Sequence, residues 1–164
     1  MLVIGIDPGT AITGYGLVEE REDGSLKAVA YGAILTPADS PFSQRLLDLH
    51  TQLTEILLLH QPASSAVEKL FFQRNVRTAL SVGQARGVAL LALVEQGVPL
   101  AEYTPMEVKQ AVVGYGGADK KQVQFMVTAL LDLPEVPKPD DVADALAIAI
   151  CHIHSARFQS LIQE

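Results

Sequence analysis

The segment Leu2–Asp7, LVIGID, is an almost unbroken apolar run that stops on one carboxylate and turns at once through Pro8 and Gly9. So short and so apolar a run, without polar alternation, is the mark of a strand covered on both faces. A chain that opens this way needs helices on both sides of a sheet. Asp7-Pro8-Gly9 itself has two readings. Asp bonds its own backbone, Pro presets φ and Gly admits φ > 0, so the tripeptide makes an ordinary turn. Alternatively, Asp7 ends the strand in order to do chemistry. The tripeptide alone does not choose between them.

The following segments supply the rest of the sheet and its cover. Gly14–Arg21 and Leu26–Thr36 read as strands joined by the polar turn Glu22-Asp23-Gly24-Ser25, with Asp-Gly as a hairpin signal. Pro41 opens a helix with Ser40 as the expected N-cap, and Leu46, Leu49, Leu53, Ile56 and Leu57 recur at helical spacing up to about His60. Ser65–Leu70 reads as a strand. Asn75 is the expected cap of a long helix that reaches about Gln96 and closes on Gly97. Val98–Tyr103 is a fifth strand, and Thr104 caps a short helix ending near Val113. After the loop Gly114–Gly117 come a helix over Lys120–Leu131, an irregular link with three prolines, and a last helix with Pro139 at its first position, running to about Phe158. Three strands in succession followed by alternating helices and strands predict an α/β fold in one domain over residues 1–164. Its sheet is five-stranded and mixed, with three antiparallel strands and then two more added between helices.

The net charge of −7 argues on its face against a nucleic-acid partner. Its distribution differs. Between Lys69 and Lys121 seven basic residues meet four acids, a local balance of +3, whereas the remainder carries −10. A basic middle in an acidic body is compatible with one face that meets phosphate, and also with an ordinary solvated surface. No run approaches the ~20 apolar residues a membrane-spanning helix needs. No secretory signal is legible at Met1, and the single cysteine, Cys151, sits in an apolar helical pattern as a small buried hydrophobe. These features suit a reducing, cytoplasmic setting. His50 and His60 read as surface histidines.

Three interruptions of apolar pattern decide how Asp7 is read. Glu68 breaks the strand Ala66-Val67-Glu68-Lys69-Leu70, and the last helix opens Pro139-Asp140-Asp141-Val142-Ala143-Asp144. Asp140 and Asp141 fall in a first helical turn, where acids complement the helix dipole. Asp144 lies a turn further in, among Ala, Leu and Ile, where a carboxylate is desolvated and needs a partner. Asp141 and Asp144, three apart, share one helix face, and Asp140 is turned about 100° from Asp141. If strands one and four lie side by side beneath the start of this helix, Asp7, Glu68, Asp141 and Asp144 converge. Four bare carboxylates repel one another and raise each other's pKa. Divalent cations relieve that repulsion, and an all-oxygen donor set suits Mg²⁺ or Mn²⁺. Two such ions ~3.5–4 Å apart clamp the attacking and leaving oxygens in phosphodiester cleavage.

At this point the residues resemble a known family. GIDPG with the following TGYG, AVEKLFF, LSVGQARGVA, VKQAVVGYGGADKKQV and DDVADALAIAICH, in this order and spacing, are similar to the RuvC family of Holliday-junction endonucleases, within the RNase H-like superfamily. The resemblance covers nearly the whole chain. It implies metal-dependent, symmetric paired nicking of a four-way DNA junction in recombination and repair, leaving 5′-phosphate ends, with two Mg²⁺ or Mn²⁺ per active site. It also implies a homodimer that cooperates with a RuvA–RuvB branch-migration complex. By position, the catalytic and metal-binding acids fall on Asp7, Glu68, Asp141 and Asp144, with Asp7 bridging the two ions. Some relatives carry a histidine at the position of Asp141; this chain has the all-carboxylate version.

The same resemblance places DNA contacts on Lys109, Lys120 and a base-stacking aromatic on Phe71. Phe72 is expected in the core. Arg74 and Arg77 of the basic middle are further candidates, as is Lys121, where relatives often have a smaller or polar residue. Lys109 and Lys120 flank the glycine loop, which could flex on DNA. Ala79, Gly83 and Gly87 recur every four residues along the long helix. They permit close backbone approach, either to the chain's own sheet or, as the resemblance implies, across a dimer two-fold. Two other readings stand beside the nuclease. A non-catalytic junction-binding protein of the same fold would be free to lose the acids. An actin- or sugar-kinase-like ATP-binding domain shares the strand-Asp-x-Gly opening, but that class needs a second such domain.

Overall fold

The computed structural model describes residues 1–70 and 76–163. Five strands, β1 (Leu2–Asp7), β2 (Ile12–Glu20), β3 (Leu26–Leu35), β4 (Ser64–Glu68) and β5 (Leu100–Tyr103), form one sheet in the order β3-β2-β1-β4-β5. The first three pair antiparallel, and β4 and β5 add in parallel. The expected mixed sheet is thus present. Among the described residues five helices complete the fold: α1 (Phe42–His60), α2 (Val76–Glu95), α3 (Pro105–Val113), α4 (Lys120–Leu130) and α5 (Asp140–Gln163).

Strand parity sorts the side chains between the two covered faces. Ile4, Ile6, Leu17 and Val67 pack against Leu53 and Leu57 of α1 and Ala85, Ala89 and Leu93 of α2. Val3, Val18 and Ala66 pack on the other face, with Leu146 and Ile150 of α5, Val108 of α3 and Val127 of α4. Alternation along a strand then sends Asp7 (with Val3 and Gly5) and Glu68 (with Ala66) to the α5 face.

Two glycines set how close α5 lies. A β-carbon at Gly5 would collide with the Ala145 carbonyl and stand 2.7 Å from the Ala149 nitrogen; one at Gly14 would collide with the Asp141 carbonyl. Since Gly14 is the register partner of Asp7, the helix start carrying Asp141 is seated directly beside the end of β1.

Several boundaries differ from the sequence expectation. Pro41, not Ser40, occupies the N-cap of α1. Its ψ of 141° is non-helical, no side chain caps the helix, and its carbonyl accepts from Arg45 N–H at 3.0 Å. Likewise α5 begins at Asp140, so Pro139 precedes the helix, and α5 runs on to Gln163. β2 starts earlier than expected, at Ile12, and β4 stops at Glu68. β5 starts at Leu100 because Val98 N–H closes α2 on the Leu93 carbonyl and Pro99 has no N–H to give. Gly97 adopts φ +67° as the closing glycine of α2. Thr104 caps α3 as expected, in a reciprocal capping box with Glu107. Asn75, Phe71, Phe72 and Arg74 lie outside the described residues.

Candidate active site at the end of the sheet

β4 runs parallel to β1 with Ile6 opposite Val67, so Glu68 emerges beside Asp7. Asp141 is carried in by the approach over Gly14, and Asp144 follows one turn later. The acids sense one another strongly. Burial pushes the Asp7 carboxyl up to about 8, and the charges of Asp144, Glu68 and Asp141 push the same way, against a smaller pull from Lys120. Glu68 is raised by burial and then by Asp144, with Lys109 and Lys120 opposing. Burial also raises Asp144, and Lys120 opposes it. This is what like charges do when desolvated together.

Lys120 is the cation the fold places among them. It opens α4, whose start is fixed by a second capping box: Asp119 accepts from Gln122 N–H at 2.8 Å, and Gln122 Oε1 accepts from Asp119 N–H at 2.8 Å. Sequence reading missed this box, although its residue types were legible in D-K-K-Q. From there the Lys120 Nζ reaches Asp140 Oδ2 at 3.2 Å and Asp144 Oδ2 at 3.3 Å. Burial lowers the ammonium's pKa, but Asp144 and Asp140 outweigh that and hold it raised. Lys109, on α3, joins Lys120, Glu68 and Asp144 around a cavity of about 220 Å³ floored by Val108 and Val123.

The donor set of this corner is carboxylate oxygen, with Cys151 and His154 turned elsewhere, so it suits a hard divalent cation rather than zinc. An ion here would also offset the burial and the like-charge repulsion that together hold Asp7 high. Among the described residues, no three acidic, histidine or cysteine side chains stand in ready ligand positions, so holding an ion requires the carboxylates to rearrange. A larger open groove of about 690 Å³ lies beside α3, lined by Met106, Gln110 and Tyr115. It contains none of the four acids, and volume alone does not mark the chemistry.

The remaining candidates are scattered. Lys121 points along a different face of α4, into a shallow recess with Phe125 and Met126. Arg77 is exposed at the start of α2. Phe71 and Arg74 fall outside the described residues. The glycine loop is a hydrogen-bonded turn: Gly114 N–H donates to the Gln110 carbonyl at 2.9 Å, and Gln110 Nε2 donates to the Gly114 carbonyl at 3.0 Å. His50 is not a lone surface histidine but pairs with Glu95 at 2.6 Å, tying α1 to α2. Cys151 is buried, its thiol pushed up to about 11 by burial, as an inert hydrophobe should be.

Midway along the same helix, over the start of β4, is a network that sequence reading does not foresee. His152 Nε2 stands 2.7 Å from Ser64 Oγ and its Nδ1 2.8 Å from Tyr103 Oη. Burial disfavours its charged form.

Comparison with known proteins bears on what this corner does. The model of the family described as "Crossover junction endodeoxyribonuclease RuvC" matches residues 3–152. A RuvC from Moorella thermoacetica is 56% identical over 164 residues, covering 100% of this chain and 98% of its own. One from Syntrophomonas wolfei is 52% identical over 163 residues, covering 99% and 94%. Among solved structures, Thermus thermophilus RuvC in complex with Holliday junction substrate superposes with a TM-score of 0.92 at 40% identity, covering 97% of this chain and 96% of that one.

Proposed function

The chain belongs to the RuvC family of crossover junction endodeoxyribonucleases, and we propose that it resolves four-way DNA junctions by hydrolysing phosphodiesters at the corner formed by Asp7, Glu68, Asp141 and Asp144. The observation that carries this reading is the meeting of the β1 and β4 ends with the start of α5, which gathers these acids beside a cavity faced by Lys109 and Lys120; Asp7, Glu68 and Asp144 are each raised there, first by burial and then by neighbouring acids. A nuclease domain of this family depends on divalent metal; we assign two Mg²⁺ or Mn²⁺ ions per site to these four acids. When bound, the ions supply Lewis-acid activation of water and neutralise charge at phosphorus.

The protein's own residues do the rest. Asp7 and Glu68, at neighbouring strand ends, present ligand oxygens from a rigid sheet. Asp141 and Asp144 present theirs from the first turns of a helix seated on Gly14. Lys109 and Lys120 attract and orient the scissile phosphate, and their release of counterions makes binding salt-dependent. Phe71, Arg74, Arg77 and Lys121 are proposed as further DNA contacts.

We also propose a homodimer, whose two sites would cut opposed strands. On α2, Leu80, Leu91 and Val94 are 64%, 52% and 68% exposed, a stripe at helical spacing. Among the described residues, nothing lies within 4 Å of a β-carbon built at Gly87, and Leu70 alone approaches one at Gly83, at 3.9 Å. Close packing on the chain's own sheet therefore does not account for these glycines, and a second copy of α2 would. The RuvA–RuvB branch-migration complex enters as a partner through family membership, with no surface assigned to it. No described helix is long and apolar enough to cross a membrane, and the proposed site of action is the cytoplasm.

Cleavage of a synthetic four-way junction against plain duplex, with Mg²⁺ and with chelator, tests the reading. The expected result is paired nicks in the junction only, and only with metal. Equal cutting of duplex, or cutting in chelator, would contradict it.

A further inference from the structure

Asp140 has a role that its place in a first helical turn does not explain. An acid there complements the helix dipole, but that accounts for neither of its two partners. Its Oδ2 takes the Lys120 ammonium at 3.2 Å, and its Oδ1 accepts from Gln124 Nε2 at 3.2 Å. Lys120 and Gln124 are four residues apart on α4, so both reach the same carboxylate from one helix face. Asp140 is therefore oriented by Gln124 while it holds the lysine. Its side chain is 61% exposed, at the rim of the acid corner, and it does not line the cavity.

Lys120 is thus shared between two acids of different kind. Asp144 faces inward, among the acids assigned above to cation binding. Asp140 faces outward and is spoken for only by α4. A divalent cation claiming Asp144 removes one of the two partners of Lys120. With Asp140 present, the ammonium keeps a second anchor a few ångströms away, at the edge where a phosphate would approach. Without it, the lysine's remaining acidic partner is Asp144, and it competes there with the incoming cation.

We propose that Asp140, oriented by Gln124, is a positioning residue for Lys120: it draws the ammonium off Asp144 when a divalent cation binds and keeps it at the rim of the site. The proposal rests on the assignment of Asp7, Glu68, Asp141 and Asp144 as the cation-binding acids.

The test is Mn²⁺ binding to the DNA-free full chain, read from the loss of the free ion's electron paramagnetic resonance signal. Asp140→Asn should weaken Mn²⁺ binding about three- to fivefold, the scale of an exposed ion pair. Asp140→Glu, which keeps the carboxylate, should bind within about twofold of the parent. In a Lys120→Gln background, adding Asp140→Asn should change affinity by less than about twofold, because the lysine it manages is gone. Equal losses in both backgrounds would make Asp140 a mere background charge and overturn the proposal, as would no loss in either. Should Asp140→Asn fail to fold, Gln124→Ala carries the test: weaker binding supports the proposal and unchanged binding overturns it. Asp7→Asn separates the two layers of the argument. If it binds Mn²⁺ like the parent, the assignment of the acid corner fails, whatever the Asp140 variants do.

Discussion

One stripe of α5 reaches from Asp141 and Asp144 to His152, and its two ends meet the sheet under opposite conditions. The eleven steps of helix from Asp141 to His152 cover about 16 Å, and the four steps of β4 from Ser64 to Glu68 cover a little less, about 13 Å. The helix therefore spans the strand from Glu68 back to Ser64. At the Ser64 end, His152 has both ring nitrogens engaged by hydroxyls. At the Glu68 end, half-buried carboxylates are raised by loss of water and then by neighbouring acids, and Lys120 offsets only part of it. The same helix, the same sheet and the same side-chain parity produce both. The satisfied end fastens the helix down. The unsatisfied end is kept in repulsion, which is the arrangement expected where a local rule is broken for function.

The contrast is broken most severely by Asp7→Asn. It should lower junction cleavage by at least about a thousandfold, the loss of several kcal/mol of charge stabilisation. Junction binding, measured by gel shift, should stay within about twofold, because a ligand oxygen is lost and not a DNA contact.

The next effect is on pH dependence. Asp7 has an ordinary value near 3.8 and sits at about 8 in the fold. Between those values the folded protein holds a proton that the unfolded chain has released, so metal-free stability falls as pH rises through that window. Glu68 and Asp144, also raised, add in the same direction. Chelator-treated protein should lose on the order of a few kcal/mol from pH 4 to 8 in denaturant titrations, and Asp7→Asn should flatten the slope.

His152→Ala probes the satisfied end. Two lost hydrogen bonds should cost about 2 kcal/mol of stability, while cleavage per folded molecule is retained. A large activity loss without a stability loss would remove the distinction between the ends.

The smallest effect belongs to Lys109→Ala. The slope of log binding constant against log salt should fall by about 0.9, one phosphate contact. An unchanged slope would place Lys109 off the DNA.

Which parts of this were legible in the sequence follows from how local each cause is. Asp7 and Glu68 announce themselves by interrupting apolar runs, and parity along each strand is a property of the strand alone. Asp144 stands out because its neighbours are apolar. The Thr104 cap is written in four consecutive residues, and so was the Asp119 box that went unread. By contrast, Gly5 and Gly14 look like any strand glycines until α5 is laid across them. Ser64, Tyr103 and His152 meet across 88 residues of chain, and no spacing rule joins them. Asp140 was read as a dipole acid because its real partners lie on another helix. The cap of α1 falls one position beyond Ser40 because a proline with extended ψ, Pro41, serves at the cap as readily as inside the first turn.

The central claim, that the Glu68 end is an unfinished cation site, is tested most directly by metal-induced stabilisation. Thermal unfolding of the DNA-free protein at pH 8 should be followed with and without Mn²⁺, for the parent chain, Asp7→Asn and His152→Ala. Mn²⁺ at about 100 times its dissociation constant should add about 2.7 kcal/mol to the parent and to His152→Ala, and almost nothing to Asp7→Asn. Equal stabilisation of Asp7→Asn by Mn²⁺ would contradict the claim.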